Sequence, residues 1–257
     1  MDGQRAAEQI HDRYHPVMTT PVAQRPFVLS SPAAPVERHG SVDLHLPAVA
    51  GLAPAVVVVH GAPLPPDVPD PRDWLLYRGY GALLAESGLV AALISYQVAE
   101  LSALPATADD IAGMVEQVRA EPRVDPDRVV LWFFSGGGLL SADWLRAAPP
   151  WLRGIALTYP LLTPLPGWQV DARFLPVDAL GSGAGVPLVL TRAGRDIPPI
   201  LAGIEEFLAA ATTHDRPVRV IEVPDGQHSF DILDHTPQSE AAVLAARDAV
   251  LDLLDAT

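Results

Sequence analysis

The stretch Arg128–Leu145 (RVVLWFFSGGGLLSADWL) decides the fold of this chain. Its unbroken apolar run, Val129 to Phe134, is typical of a β-strand that is covered on both faces in a parallel sheet. Three glycines follow Ser135 and allow the backbone to turn sharply into the helix that the next residues indicate. Such a turn would expose the serine hydroxyl at the carboxyl edge of the sheet, beside the N–H groups of a helix N-terminus. The stretch alone predicts either a nucleophile elbow or a Ser-Gly turn that only connects a strand to a helix.

The composition excludes several classes of function. The 257 residues, 49% hydrophobic and 19% charged, are enough for one large α/β domain. The net charge of −14 disfavours binding to nucleic acid or to an anionic membrane surface. Because the chain has no cysteine, it can form no disulfide, thiolate zinc site or cysteine nucleophile. The N-terminus lacks a signal-peptide pattern and no uncharged apolar stretch reaches about 18 residues, so we expect a cytoplasmic protein.

Strand and helix patterns alternate along most of the chain. Strands are predicted at 41–46, 55–60, 89–95, 129–134, 154–159, 187–192 and 218–223, and helices at 74–87 and around 107–118, 200–211 and 243–254. This order favours a doubly wound, mostly parallel β-sheet with helices on both faces. The proline-punctuated residues 1–35 are expected to form an N-terminal arm with at most one edge strand, Phe27–Ser30, and residues 36–257 a single α/β domain. The irregular segment 160–185 carries several apolar residues and is a candidate for a short lid loop.

Chemically useful side chains follow four of the predicted strands. In open α/β sheets, ligands bind at the carboxyl ends of the strands. These loops contain His60-Gly61-Ala62, Ser135, Asp196 and His228. A serine hydroxyl needs a base to become a nucleophile, and the base needs a carboxylate to orient it. Ser135, His228 and Asp196 supply one of each, in the chain order Ser, Asp, His.

Four motifs in this order resemble those of the α/β-hydrolase superfamily, in particular the dienelactone hydrolases and small carboxylesterases. They are VVVVHG at 56–61, FSGGG at 134–138, TRAGRD at 191–196 and GQHSFD at 226–231, and the resemblance covers residues 40–257. It implies the α/β-hydrolase fold with a short or absent cap. It also implies a serine hydrolase of the carboxylic ester type that cleaves a small ester or related acyl substrate through an acyl-serine intermediate, with no cofactor and no metal.

The resemblance further implies a role for each motif residue. Ser135 would be the nucleophile, His228 the general base and then acid, and Asp196 the orienting carboxylate. The oxyanion hole would be formed by the backbone N–H of Gly136 and one from Gly61 or Ala62. A proline has no N–H, so the second donor cannot be residue 63.

Two departures from the family pattern affect the function. Phe133 stands where the elbow normally has a glycine, and its side chain is expected to tilt Ser135 or to fill part of the acyl pocket. The dienelactone hydrolases proper use a cysteine nucleophile, which this chain lacks. Phe133 therefore motivates an alternative, a catalytically inactive hydrolase-fold binding protein. An acyltransferase or thioesterase would use the same triad, and apolar faces on the edge strands are compatible with a homodimer.

Each site residue also has a structural interpretation. Asp196 would cap the helix that begins near residue 198, which is a common role for aspartate. His60 is expected to bond to the backbone beneath the oxyanion loop. The carboxylate that partners His228 could also be one of three in the same loop, Asp225, Asp231 or Asp234. The histidines show no HExxH-like spacing, and the glycine run lacks the Lys-Ser/Thr of a P-loop.

Overall fold

A computed structural model describes residues 21–30, 35–64, 68–183 and 185–256. These residues form one eight-stranded sheet with the strand order β1-β2-β4-β3-β5-β6-β7-β8. The strands are β1 Val36–His39, β2 Val42–His45, β3 Ala53–Val59, β4 Val90–Ile94, β5 Val124–Phe134, β6 Leu152–Thr158, β7 Leu188–Arg195 and β8 Val218–Gln227. β1 pairs with β2, and β2 with β4, in antiparallel fashion, and all other neighbours are parallel. The predicted doubly wound, mostly parallel sheet is confirmed.

Helices cover both faces of this sheet. They are α1 Leu75–Glu86, α2 Leu104–Arg119, α3 Ala142–Arg146, α4 Pro176–Ala179, α5 Pro198–Thr213, α6 Phe230–Leu233 and α7 Pro237–Asp255. The buried side chains of α2 and α5 belong to one hydrophobic cluster, and those of α1 and α7 to a second cluster on the opposite face. None of the helices within the described ranges is both long and apolar enough to cross a membrane.

β5 lies at the centre of the sheet between β3 and β6. Because successive side chains of a strand point to opposite faces, its apolar run divides between the two clusters. Val129, Leu131 and Phe133 pack beneath α2, whereas Val130, Trp132 and Phe134 pack beneath α1 and α7. A run without polar residues is thus required by burial on both faces, which the sequence pattern had indicated.

The N-terminal side of the domain differs from the prediction. Phe27–Ser30 contains no strand; the regular element of residues 21–30 is a 3-10 helix at Val22–Gln24, and Phe27 packs its ring at 4.8 Å from that of Tyr80 in α1. The first strand is instead β1, which the sequence analysis missed because it has only four residues, mostly exposed. Residues 1–20 of the predicted arm lie outside the described residues, and the boundary at residue 35 stays a prediction.

The parallel strands β3, β5, β7 and β8 point their carboxyl ends to the same edge of the sheet. The loops that leave these four strands carry the residues that the sequence analysis singled out. The topology therefore places all four loops along one edge, and their side chains can meet there.

Candidate active site

Ser135 is the first residue after β5, and it makes the turn at this point. Its φ is +49°, in the left-handed region that side-chain-bearing residues rarely adopt. Such a conformation costs about 1–3 kcal/mol and persists only where the surrounding structure enforces it. The chain continues as a 3-10 helix over Ser135–Ser141 and becomes α-helical at α3, so the strand turns into a helix at Ser135 as the sequence indicated, with a first segment that is 3-10.

The three glycines after Ser135 are required by close backbone packing. None of them has a positive φ. A Cβ atom on Gly136 would overlap the carbonyl group of Ala62, and one on Gly137 the carbonyl oxygen of His60. A Cβ on Gly138 would come within 2.6 Å of a third carbonyl oxygen, in the loop after β6. The run therefore lets two neighbouring loops approach the residues behind Ser135, which differs from the turning role that the sequence suggested.

His228 connects Ser135 to Asp196. Its Nε2 lies 2.8 Å from Ser135 Oγ, and its Nδ1 lies 2.9 Å from both carboxylate oxygens of Asp196. Because a carboxylate only accepts hydrogen bonds, Nδ1 carries the proton and Nε2 accepts from the serine hydroxyl. The Asp196 side chain has no solvent exposure and that of His228 has 16%. The structure thus brings the three predicted residues into one hydrogen-bonded chain.

The alternative partners of His228 are engaged elsewhere. Asp225 pairs with Arg195, Asp234 accepts from the backbone and side chain of Gln227, and Asp231 accepts from two tyrosine hydroxyls. The capping role considered for Asp196 is not observed, because the N-cap of α5 is Ile197 and no side chain caps this helix; Asp196 Oδ1 instead accepts the N–H of Ile197, before the helix begins, at 2.7 Å. The same carboxylate therefore bonds both to the loop that leads into α5 and to the ring of His228.

The loop after β3 is held by buried side chains. Gly61 donates its N–H to the hydroxyl of Tyr77 at 3.1 Å, and the carbonyl oxygen of His60 accepts from the hydroxyl of Tyr96 at 2.5 Å. Both ends of the peptide group between residues 60 and 61 are thereby occupied. The prediction of Gly61 as an oxyanion donor is therefore corrected, because its N–H is already bonded to Tyr77. Ala62 remains the predicted second donor.

The imidazole of His60 orients the next peptide group. Its Nδ1 donates to the carbonyl oxygen of Gly61 at 2.7 Å, and its ring stacks on Tyr96 with centroids 4.0 Å apart. Burial lowers the pKa of His60 to about 4, so the ring is neutral at physiological pH. In a trans peptide the C=O and N–H point in opposite directions. Holding the carbonyl of Gly61 therefore also fixes the direction of the Ala62 N–H.

Phe133 does not occupy a substrate pocket. Its side chain has 0% exposure and packs in the cluster beneath α2, in register with Val59 of β3 and Leu157 of β6. The expectation that it fills part of an acyl pocket is wrong, because a side chain without solvent-accessible surface lines no open cavity. Ser135 still reaches His228 at hydrogen-bonding distance, so the phenylalanine does not break this contact.

The segment 160–185 is tied to the core over most of its described length. It starts beside the site, where the N–H of Leu161 donates to the carbonyl oxygen of Ser135 at 2.8 Å. Six of its apolar side chains are buried in the cluster beneath α2 and α5: Leu161, Leu162, Leu165, Phe174, Ala179 and Leu180. Trp168 is only partly buried. The prediction of a short lid therefore rests on Trp168 and its neighbours and not on the whole segment.

Three buried tyrosines next to the site had no predicted role: Tyr77, Tyr96 and Tyr159. Asp231, also buried, was considered only as a possible partner of His228. Their partners lie far away in the chain, up to 151 residues for the contact of Tyr80 with Asp231, and no local pattern reports such a contact. Within the described ranges, no group of three or more His, Cys, Asp or Glu side chains could hold a metal ion.

Comparison with known proteins identifies the architecture. No protein-family model and no curated protein matches the sequence. Among solved structures, esterase 2 of Thermogutta terrifontis phosphonylated by sarin superposes with a TM-score of 0.67 at 17% identity, over 89% of this chain and 99% of that chain. The butyrate-bound form of the same esterase gives 0.65 at 18%, over 88% and 97%. DphMB1 gives 0.71 at 20% identity, over 99% and 93%. The sheet order and these superpositions show that the chain has the α/β-hydrolase fold.

Proposed function

We propose that this protein is a serine hydrolase that cleaves a small carboxylic ester or a related acyl substrate without a cofactor. The observation that carries the proposal is the continuous chain Ser135 Oγ, His228 Nε2, His228 Nδ1 and Asp196, with distances of 2.8 and 2.9 Å. The strained backbone of Ser135, which presents its hydroxyl to His228, supports the same conclusion. Nucleophile, base and orienting carboxylate are the three groups that acyl transfer to a serine needs.

The reaction would proceed in two balanced halves. Ser135 Oγ attacks the carbonyl carbon while His228 Nε2 takes the hydroxyl proton, and Asp196 stabilises the imidazolium that forms. The carbonyl oxygen becomes negative and accepts hydrogen bonds from the N–H groups of Gly136 and Ala62. Collapse of this intermediate breaks the ester C–O bond, and His228 returns the proton to the leaving alcohol. In the second half, water attacks the acyl carbon while His228 Nε2 takes its proton. The bond between the acyl carbon and Ser135 Oγ then breaks, His228 returns the proton to Oγ, and the acid is released.

The neighbours support the substrate class but do not determine it. The Thermogutta terrifontis esterase has been solved with butyrate and with propionate bound. Small acyl groups are therefore our first choice of substrate for this chain too. An acyltransferase or thioesterase would use the same residues and differ only in the acceptor or in the leaving group. The inactive alternative loses part of its motivation, since Phe133 is fully buried and Ser135 Oγ still lies 2.8 Å from His228 Nε2.

The experiment is the intact mass of the protein after exposure to a fluorophosphonate probe, with a p-nitrophenyl butyrate assay alongside. Wild type, Ser135→Ala and His228→Ala are compared with Ser182→Ala, which removes an exposed hydroxyl elsewhere on the surface. We expect one adduct and turnover in wild type and in Ser182→Ala. Both are expected to be lost in Ser135→Ala and His228→Ala, because the alkoxide and the base that generates it act as one unit.

The outcomes separate the candidates. An adduct that persists in Ser135→Ala would contradict the assignment of the nucleophile. A folded wild-type protein that takes no adduct and turns over no ester would favour the binding-protein alternative. An adduct together with acyl transfer to an added alcohol that outpaces hydrolysis would favour the acyltransferase.

A further inference from the structure

A buried carboxylate beside His228 has no role in the reaction proposed above. Asp231 lies three residues after His228, at the start of α6, and its side chain has 0% exposure. It accepts hydrogen bonds from the hydroxyl of Tyr159, at 2.9 and 3.1 Å to its two oxygens, and from the hydroxyl of Tyr80 at 3.0 Å. Its backbone carbonyl also accepts the N–H of Val28 at 2.8 Å. The carboxylate is thus held from two other parts of the chain, and the backbone of Asp231 from a third.

Tyr159 links this carboxylate to the face of His228. The two ring centroids are 4.8 Å apart, with an angle of 60° between the planes. Tyr159 follows β6 directly and has a φ of +35°, a conformation that is a true outlier for a bulky residue. Its N–H still donates to the carbonyl oxygen of Thr191 in β7 at 2.9 Å. The backbone therefore bends here at an energetic cost, and the result is a tyrosine ring against the imidazole.

The strained backbone of Tyr159 is one of several strained positions around this site. The described residues include four non-glycine residues with positive φ, and three of them adjoin this site: Ser135, Tyr159 and Ser229, which follows His228. Strained residues of this kind cluster at functional sites because surrounding contacts over-determine them. Ser135 acts in the proposed reaction and Ser229 is the chain neighbour of His228, whereas Tyr159 is distant in the chain from each residue of the reaction.

We propose that Tyr159 is a positioning residue for His228, and that Asp231 holds it in that place. The hydrogen bonds at Nδ1 and Nε2 lie at two ends of the imidazole and leave the ring free to rock about the line between them. A third contact on the ring face removes this freedom. The catalytic consequence rests on the proposed hydrolase function, whereas the positioning itself does not.

Tyr80 provides a matched control. It donates to the same carboxylate over a similar distance, yet its ring packs on Trp132 and Phe134, with centroids 5.2 and 4.9 Å away. Tyr80→Phe and Tyr159→Phe therefore each remove one phenol hydrogen bond from Asp231. Only the second removes the anchor of the ring that touches His228.

The test measures solvent exchange of the His228 Nδ1 proton by NMR in protein with 15N-labelled histidine, together with kcat and KM for p-nitrophenyl butyrate. We expect Tyr159→Phe to speed exchange about fivefold, the equivalent of one net hydrogen bond, and Tyr159→Leu to speed it further. We expect kcat to fall about tenfold at unchanged KM, because a misplaced base slows chemistry without weakening binding. Tyr80→Phe should stay within about twofold of wild type in both measurements.

The exchange measurement tests the positioning of His228 whether or not the protein turns over an ester. Exchange that is no faster in the Tyr159 variants than in Tyr80→Phe would overturn the inference. A wild-type protein that is inert to the ester and the fluorophosphonate, but whose exchange responds to Tyr159, would sustain the positioning and refute the hydrolase.

Discussion

Replacing Asp231 by asparagine removes a buried charge whose cost depends on pH. Burial raises the pKa of this carboxyl group to about 6, above its ordinary value of 3.8, although two tyrosine hydroxyls favour its ionised form. The folded state therefore holds the Asp231 proton up to a higher pH than the unfolded state does. It follows that this group favours folding most below pH 3.8, and that its contribution is lost as the pH rises through 6.

The size of the effect follows from the difference between the two pKa values. Complete ionisation costs about 3 kcal/mol of unfolding free energy relative to the protonated form. Between pH 5 and pH 7.5 the contribution of Asp231 falls by about 1.4 kcal/mol, since at pH 5 the unfolded state is already largely ionised. Asparagine has nearly the same shape and still accepts from the tyrosines, but it does not titrate. Any fixed cost of its buried amide is the same at both pH values.

The assay is urea unfolding of wild type and Asp231→Asn at pH 5 and pH 7.5. The quantity of interest is the change with pH of the difference in unfolding free energy between the two proteins. This double difference cancels other groups that titrate in the same range, such as His60. We expect wild type to lose about 1.4 kcal/mol relative to the variant on going to pH 7.5. A pH-independent difference, or one of opposite sign, would refute a raised pKa at this site.

Two further substitutions test the packing around the site and the edge of the sheet. Gly136→Ala places a methyl group on the carbonyl of Ala62 and should lower kcat/KM for p-nitrophenyl butyrate at least about 100-fold, the effect of losing one oxyanion donor. The control Gly113→Ala, at a position in α2 with open space around it, should leave kcat/KM unchanged. Wild-type activity in Gly136→Ala would contradict the proposed oxyanion hole. Arg72→Ala removes a buried guanidinium that pairs with Asp43 and Asp70; because Arg38 still pairs with Asp43, the unfolding free energy should fall by about 2 kcal/mol in urea titrations. The control Arg219→Ala breaks an exposed pair and should cost under about 1 kcal/mol, so equal losses would contradict this view of burial.

The parallel sheet could be predicted because its signals are local. Each central strand needs an apolar run for its own burial, and the loops at the carboxyl ends bring Ser135, Asp196 and His228 within reach of one another. The chain order of Ser135, Asp196 and His228 then sufficed to name the residues that the structure brings together. β1 gave no such signal, since a short, exposed edge strand requires no apolar pattern.

The supports of the site could not be predicted, because they depend on contacts between distant segments. Tyr77 meets Gly61 across 16 residues, and Tyr159 meets Asp231 across 72. In the sequence each tyrosine is an ordinary apolar position of a helix or strand end. Likewise, the glycines after Ser135 looked like turn residues, and only the positions of the neighbouring carbonyl groups show why no side chain fits there.

Phe133 shows how a family pattern can mislead when it is applied one residue at a time. The pattern expects a small residue there because side chains crowd where the strand turns. In this chain the turn is made by Ser135 and continues as a 3-10 helix, and the phenylalanine ring is accommodated in the layer beneath α2 between β3 and β6. The substitution is therefore compatible with a functional elbow.

The backbone strain bears on the choice between the hydrolase and an inactive binding protein. A binding protein could use a relaxed serine, or a glycine without strain, at position 135. Here the serine keeps a costly φ, and its hydroxyl is bonded to a histidine whose other nitrogen meets a fully buried carboxylate. Two more strained residues adjoin that histidine: Ser229 follows it in the chain, and the ring of Tyr159 lies 4.8 Å from its ring. Backbone strain at three positions around one hydrogen-bonded chain is expected of a site that performs chemistry. This strain favours the hydrolase.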